Sequence, residues 1–97
     1  MKKTFPLHVS GKADARVLDA IKHDVRKYVK REINKPLPAG FARWRFDCRV
    51  GENSDSAGTT MLKQVPAAID AVGKAGGDNV YVEIIAAPDE GDANPTP

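Results

Sequence analysis

Cysteine is nearly absent from this 97-residue chain, where Cys48 stands alone. An internal disulfide framework is therefore excluded, and a reducing, cytoplasmic setting is expected. Histidine is scarce as well. His8 and His23 stand at no ligand spacing from Cys48, so neither a zinc site nor any other cofactor is expected. No apolar run approaches the length of a membrane span. Met1-Lys2-Lys3 has the charge of a signal peptide, but Thr4-Phe5-Pro6-Leu7-His8-Val9 lacks the apolar stretch that should follow. Neither membrane insertion nor a leader is expected.

Acidic residues are few in the first half. Only five of the thirteen Asp and Glu fall at or before Val50, against thirteen of the fifteen Lys and Arg. The segment to Val50 carries +8 and the remainder −6, which the overall net charge of +2 conceals. Such a split points to an electrostatic partner surface, or to a basic face beside an acidic tail. Apolar residues at 41% and charged residues at 29% suit one soluble globular domain with a modest core.

Phe5, Leu7 and Val9 alternate with polar or proline positions, the period of a half-buried strand. Pro6 cannot donate to a sheet ladder, which predicts an edge or an irregularity there. From about Ala13 to Ile33, Val17, Leu18, Ile21, Val25, Tyr28 and Val29 recur at helical spacing. Asp14 or Ser10 can cap the start of that helix, and Lys30, Arg31 and Lys35 crowd the negative end of its dipole. Glu32 falls near the apolar stripe, which fraying of the last turn would explain. Between Phe41 and Val50 the chain alternates cleanly, with Trp44, Phe46, Cys48 and Val50 on one face and Arg43, Arg45, Asp47 and Arg49 on the other.

Gly51 to Gly58 is a polar loop without apolar anchors. A short strand is predicted over 59–64 and a helix over 65–75, with Pro66 in its first turn and Gly76-Gly77 ending it. Val80, Val82, Ile84 and Ala86 alternate as a last strand. Residues 1–87 then form one domain, and the acidic, proline-rich stretch 88–97 reads as a disordered tail, able to fold back over a basic surface. The predicted class is α+β, a two-layer sandwich in the order β-α-β-β-α-β. It is either ferredoxin-like or, if 59–64 is not a strand, a three-stranded variant.

Two basic clusters are the functional candidates. Lys22, Arg26, Lys27, Lys30 and Arg31 lie on the first helix, opposite its apolar stripe, and could track phosphates by charge neutralisation. The plainer reading is a solvated helix face. Arg43, Arg45 and Arg49 lie on one strand face, where planar guanidinium forks could grip phosphate or carboxylate. The plainer reading there is a charged solvent face that discourages edge pairing. The two clusters look away from each other and make no continuous groove. The aromatics Phe5, Trp44 and Phe46 belong to buried faces, which disfavours an RNA platform of stacked rings.

Cys48, in phase with Trp44 and Phe46, reads as a buried small hydrophobe rather than a nucleophile. His8 and Asp47 could form an acid/base pair if both project from the open sheet face, the single hint of catalysis. Gly73, Gly76 and Gly77 make no phosphate loop, because Gly76-Gly77 follows a helix whereas a phosphate loop precedes one.

Four stretches, Lys2-Lys3-Thr4-Phe5-Pro6-Leu7-His8-Val9, Ala20-Ile21-Lys22-His23-Asp24-Val25-Arg26-Lys27-Tyr28, Trp44-Arg45-Phe46-Asp47-Cys48-Arg49-Val50-Gly51 and Val80-Tyr81-Val82-Glu83-Ile84-Ile85-Ala86, resemble a small bacterial family of unknown function. The resemblance spans about residues 1 to 88 in order, with Pro66 as a departure. It implies a bacterial, cytoplasmic setting and carries no site residues.

The expectation is therefore a small, non-enzymatic cytoplasmic domain that binds a protein partner through a charged surface. The alternative is weak, sequence-tolerant RNA or DNA binding through the first helix. A homodimer is a third possibility, through an open strand edge or sheet face, with Arg43 or Arg45 meeting Glu83 of a second copy.

Overall fold

A computed structural model describes residues 1–90. Four strands and two helices follow the order β1 (Lys2–Pro6), α1 (Asp14–Ile33), β2 (Arg43–Gly51), β3 (Gly58–Thr60), α2 (Val65–Lys74) and β4 (Asn79–Asp89), with a 3-10 turn at Leu62–Gln64 before α2. The strands form one antiparallel sheet in the order β1-β4-β2-β3. β3 pairs Cys48 with Thr60 and Val50 with Gly58, which removes the three-stranded alternative. It is shorter than predicted because the helical spacing of Leu62, Val65 and Ile69 takes over once Thr60 has passed.

The alternation read from the sequence sets the two faces of the sheet. Val80, Val82 and Ile84 of β4 and Cys48 and Val50 of β2 turn inward. They are buried with Phe5, Leu7, Val17, Ile21 and Val25 and with Val65 and Ile69 of α2. Both helices thus cover one face. Gly73 lets them approach closely, since a Cβ there would lie 3.2 Å from both methyl groups of Leu18. The opposite face carries the polar phase of the same strands.

Met1 N donates to Ile84 O (2.6 Å) and Ile84 N donates to Met1 O (2.7 Å). That reciprocal pair sets the hydrogen-bonding phase of the whole sheet. Even-numbered residues of β4 bond toward β1 and odd-numbered ones toward β2. Pro6, at the end of an edge strand, therefore lacks its N–H on the solvent side, where no ladder bond is missed. The strand predicted through Val9 stops here, and Leu7 adds one bond to Asp78 O (2.8 Å).

Four further boundaries differ from the predictions. α1 starts at Asp14 with Ala13 as its N-cap and no side-chain cap: Ser10 lies too early in the chain, and Asp14 is already in the first turn, where its carboxylate meets His8. The last turn of α1 is not frayed. Glu32 is held within the helix by Lys35 at 2.7 Å, and the Trp44 indole N–H donates to Lys35 O (3.1 Å), fastening the helix end to β2. The loop after Gly51 is anchored after all, as described below. Finally, β4 includes Pro88 and Asp89, two residues of the predicted tail. By the phase above, the absent N–H of Pro88 would point away from β2, where no strand lies opposite it among the described residues. The rest of that tail prediction, from residue 91, falls outside the described residues.

Candidate functional site

The open sheet face gathers the charges of β2 and β4, and nearly all of them are spoken for. The register places Arg43 opposite Asp89 and Arg49 opposite Glu83. Arg43 Nε lies 3.4 Å from Asp89 Oδ2, Arg45 Nε 3.4 Å from Asp47 Oδ2, and Arg49 Nη1 donates to Glu83 Oε1 at 3.3 Å. Each arginine of the predicted anion grip thus has a carboxylate of its own.

Arg49 does more than pair with an acid. Its Nη2 donates to Ser54 O (2.8 Å) and Ala57 O (3.1 Å), clasping the 52–57 loop onto the sheet. Within the loop, Asn53 Oδ1 accepts from the amides of Asp55 and Ser56, both at 2.9 Å. That is turn chemistry legible in Asn-Ser-Asp-Ser. Tyr81 O–H donates to the same Glu83 oxygen at 2.8 Å. This donation, supported by the charges of Arg49 and Lys2, holds the Glu83 carboxyl below its usual range against the opposing effect of burial. The same hydrogen bond raises the Tyr81 phenol. The network is structural, and it engages Glu83 within its own chain.

His8 and Asp47 do not meet. The His8 ring lies beyond the end of β1, with Nδ1 3.1 Å from Asp14 Oδ1 and Nε2 3.9 Å from Asp78 Oδ1. Asp47 pairs with Arg45. Cys48 is buried, and burial with the nearby Asp47 charge raises its thiol, the reverse of an activated nucleophile. Among the described residues there is no cluster of three metal-ligating side chains. An apolar cleft between β1 and α1, lined by Phe5, Val9, Val17 and Ile21 among others, holds about 170 Å³. That cleft is smaller than the ~300–1,000 Å³ of small-molecule sites, whereas a wider depression lined by Thr59, Thr60, Met61, Gln64, Ala67 and Ala68 holds about 490 Å³.

The hydrogen bond and charge of Asp14, with a smaller contribution from Asp78, lift His8 above its ordinary 6.5. A raised folded value means that the imidazolium contribution to stability is full below the unfolded value and is lost as pH rises through the folded one. A proton NMR titration should therefore give His8 a midpoint above 6.5, and Asp14→Asn should bring it down. A midpoint unmoved by that substitution would remove the ion pair.

On α1 the predicted basic cluster divides. Lys22 borders α2, where its ammonium lies 3.0 Å from Asp70 and 3.7 Å from Asp19, and its side chain is only 19% exposed. It ties the helices together. Arg26, Lys27 and Lys30 are exposed and have no ion-pair partner among the described residues. Arg31 lies over the Tyr28 ring at 5.6 Å. Lys27, Lys30 and Arg31 line one shallow depression with Asn34. Ile33, 52% exposed, falls beside Arg26 and Lys30 at spacings of seven and three residues. Sequence spacing found this stripe but did not separate Lys22 from it, because Asp70 is 48 residues away.

No described helix is long and apolar enough to cross a membrane. The chain belongs to a family of unknown function (DUF6172), whose profile matches residues 1–94. No curated protein and no solved structure matches it.

Proposed function

We propose that this chain is a small, non-enzymatic cytoplasmic binding domain that docks an acidic protein segment on the C-terminal half of α1. The observation that carries the reading is the contrast in charge pairing. The β2 arginines each face a carboxylate, whereas Arg26, Lys27 and Lys30 face none among the described residues. Unpaired cations at a helix C-terminus are favourable to the helix itself, and that alone would account for one or two of them. The exposed Ile33 alongside is not explained that way. An apolar contact beside cations suits an acidic segment with an aliphatic residue better than a bare phosphate backbone.

The alternative remains RNA or DNA bound through phosphate contacts by Arg26, Lys27, Lys30 and Arg31. As to the fold, we read the interlaced units β1-α1-β2 and β3-α2-β4, each straddling one antiparallel strand, as a variant of the split ferredoxin-like plan.

Fluorescence anisotropy over a salt series tests both readings, with a labelled acidic leucine-containing peptide and a labelled mixed-sequence RNA as probes. The peptide is expected to bind and to weaken with salt. Replacing Arg26, Lys30 and Arg31 by Glu should lower its affinity at least ~tenfold, since like charges then oppose one another. Ile33→Ser should weaken the peptide and leave RNA unaffected. Binding of RNA alone transfers the surface to the alternative. Full affinity in the triple variant ends both.

A further inference from the structure

The sheet has a gap along one edge. β3 covers β2 at Cys48–Val50 only, and among the described residues no strand lies opposite Arg43–Asp47 on that side. The hydrogen-bonding phase says which groups are left there. Odd-numbered residues of β2 bond to β4, so the N–H and C=O of Trp44 and Phe46 point outward at the gap. No backbone partner for them exists among the described residues. Of the other open edges among the described residues, β4 past Met1 includes Pro88 and the outer edge of β1 includes Pro6, so each lacks one donor, and β3 offers three residues only. The β2 edge has no proline or other obstruction in its own sequence.

From this geometry we infer that a second copy of the chain occupies the β2 edge, pairing β2 with β2 about a two-fold axis at Arg45. Such an interface presents the same patch from both copies. With the axis normal to the sheet, opposed residues share a face. Trp44 of one copy then stands opposite Phe46 of the other. Each Trp44–Phe46 pair exchanges two backbone hydrogen bonds, four in all, and the paired rings lie on the helix-covered side. On the open side Arg43 stands opposite Asp47 of the second copy, twice over by symmetry. Both side chains are accessible, Arg43 at 55% and Asp47 at 63%.

The edge is self-complementary in charge, and that selects a second copy over a foreign strand. Arg45 meets its own image at the axis, where Asp47 of the same chain already lies 3.4 Å from it. This pairing does not use Glu83, which Arg49 and Tyr81 hold.

Sedimentation velocity over a wide concentration range is expected to show reversible dimerisation of the full chain. Arg43→Asp and Asp47→Arg each place like charges across the axis and should raise the dimer dissociation constant at least ~tenfold. The double variant restores opposite charges and should recover most of the loss, with circular dichroism confirming the fold in all three. Amide hydrogen exchange supplies a readout without substitutions: protection of the Trp44 and Phe46 amides should rise with protein concentration. A monomer at every concentration overturns the inference and returns the edge to an extended segment of another protein. A dimer indifferent to both charge reversals overturns this register.

Discussion

Ile69→Ala should cost about 2–5 kcal/mol, the range for removing a large aliphatic side chain from a packed core. That is a large part of the ~5–15 kcal/mol available to a small domain. Ile69 has no exposed surface, and with Val65 it forms the fully buried contact of α2 with the rest of the core. Of the other apolar positions of that helix, Ala68 and Val72 are only half-buried and Ala67 and Ala71 are exposed. A ten-residue helix is marginal on its own and depends on tertiary packing. The cavity should therefore loosen α2 as a unit. Lys22 and Asp70, joined at 3.0 Å between the helices, should then lose their fixed geometry.

Urea denaturation of both proteins checks the figure, and Ile69→Val, expected at ~0.5–1.5 kcal/mol, grades it. A loss below ~1 kcal/mol for Ile69→Ala would place α2 outside the cooperative core. Peptide binding at α1 should survive wherever the variant remains folded, because Arg26, Lys27 and Lys30 lie on exposed positions of another element.

The core was readable because burial follows period. Trp44, Phe46, Cys48 and Val50 mark a strand face, and Val17, Ile21 and Val25 mark a helix stripe, without knowledge of any neighbour. Strand order has no such local signature. Nothing in the composition of β4 announces that it inserts between β1 and β2. The ion pairs of the charged residues were not legible for the same reason. Arg43 and Asp89 are 46 residues apart and Arg49 and Glu83 are 34 apart, so their pairing depends on a register that the sequence does not display. Only after the paired arginines and Lys22 are set aside do Arg26, Lys27 and Lys30 stand out. The open β2 edge was hidden likewise, since it exists because β3 is short, and the Met1–Ile84 pair decides which of its groups point outward.

Gly51→Ala should be the most damaging of the small changes outside the core, at ~1–3 kcal/mol for forcing atoms into occupied space. A Cβ at Gly51 would stand 2.6 Å from the Ala57 Cα and 2.8 Å from its nitrogen. Both are backbone atoms, so no side-chain rotation relieves the contact. The loop must move, yet Arg49 clasps it at Ser54 and Ala57, and Gly58 immediately after is paired with Val50. Displacing Ala57 would stretch the Arg49 bond of 3.1 Å, loosen β3 and leave Glu83 to Tyr81 and Lys2. Gly58→Ala is the natural control. It adds the same methyl group seven residues away, where a Cβ meets nothing within 4 Å, and should stay within ~0.5 kcal/mol of the parent. Denaturation midpoints for the two variants decide the matter. Equal losses would mean that the methyl group acts through general strand preference, and that the close approach of β2 to its own loop contributes nothing.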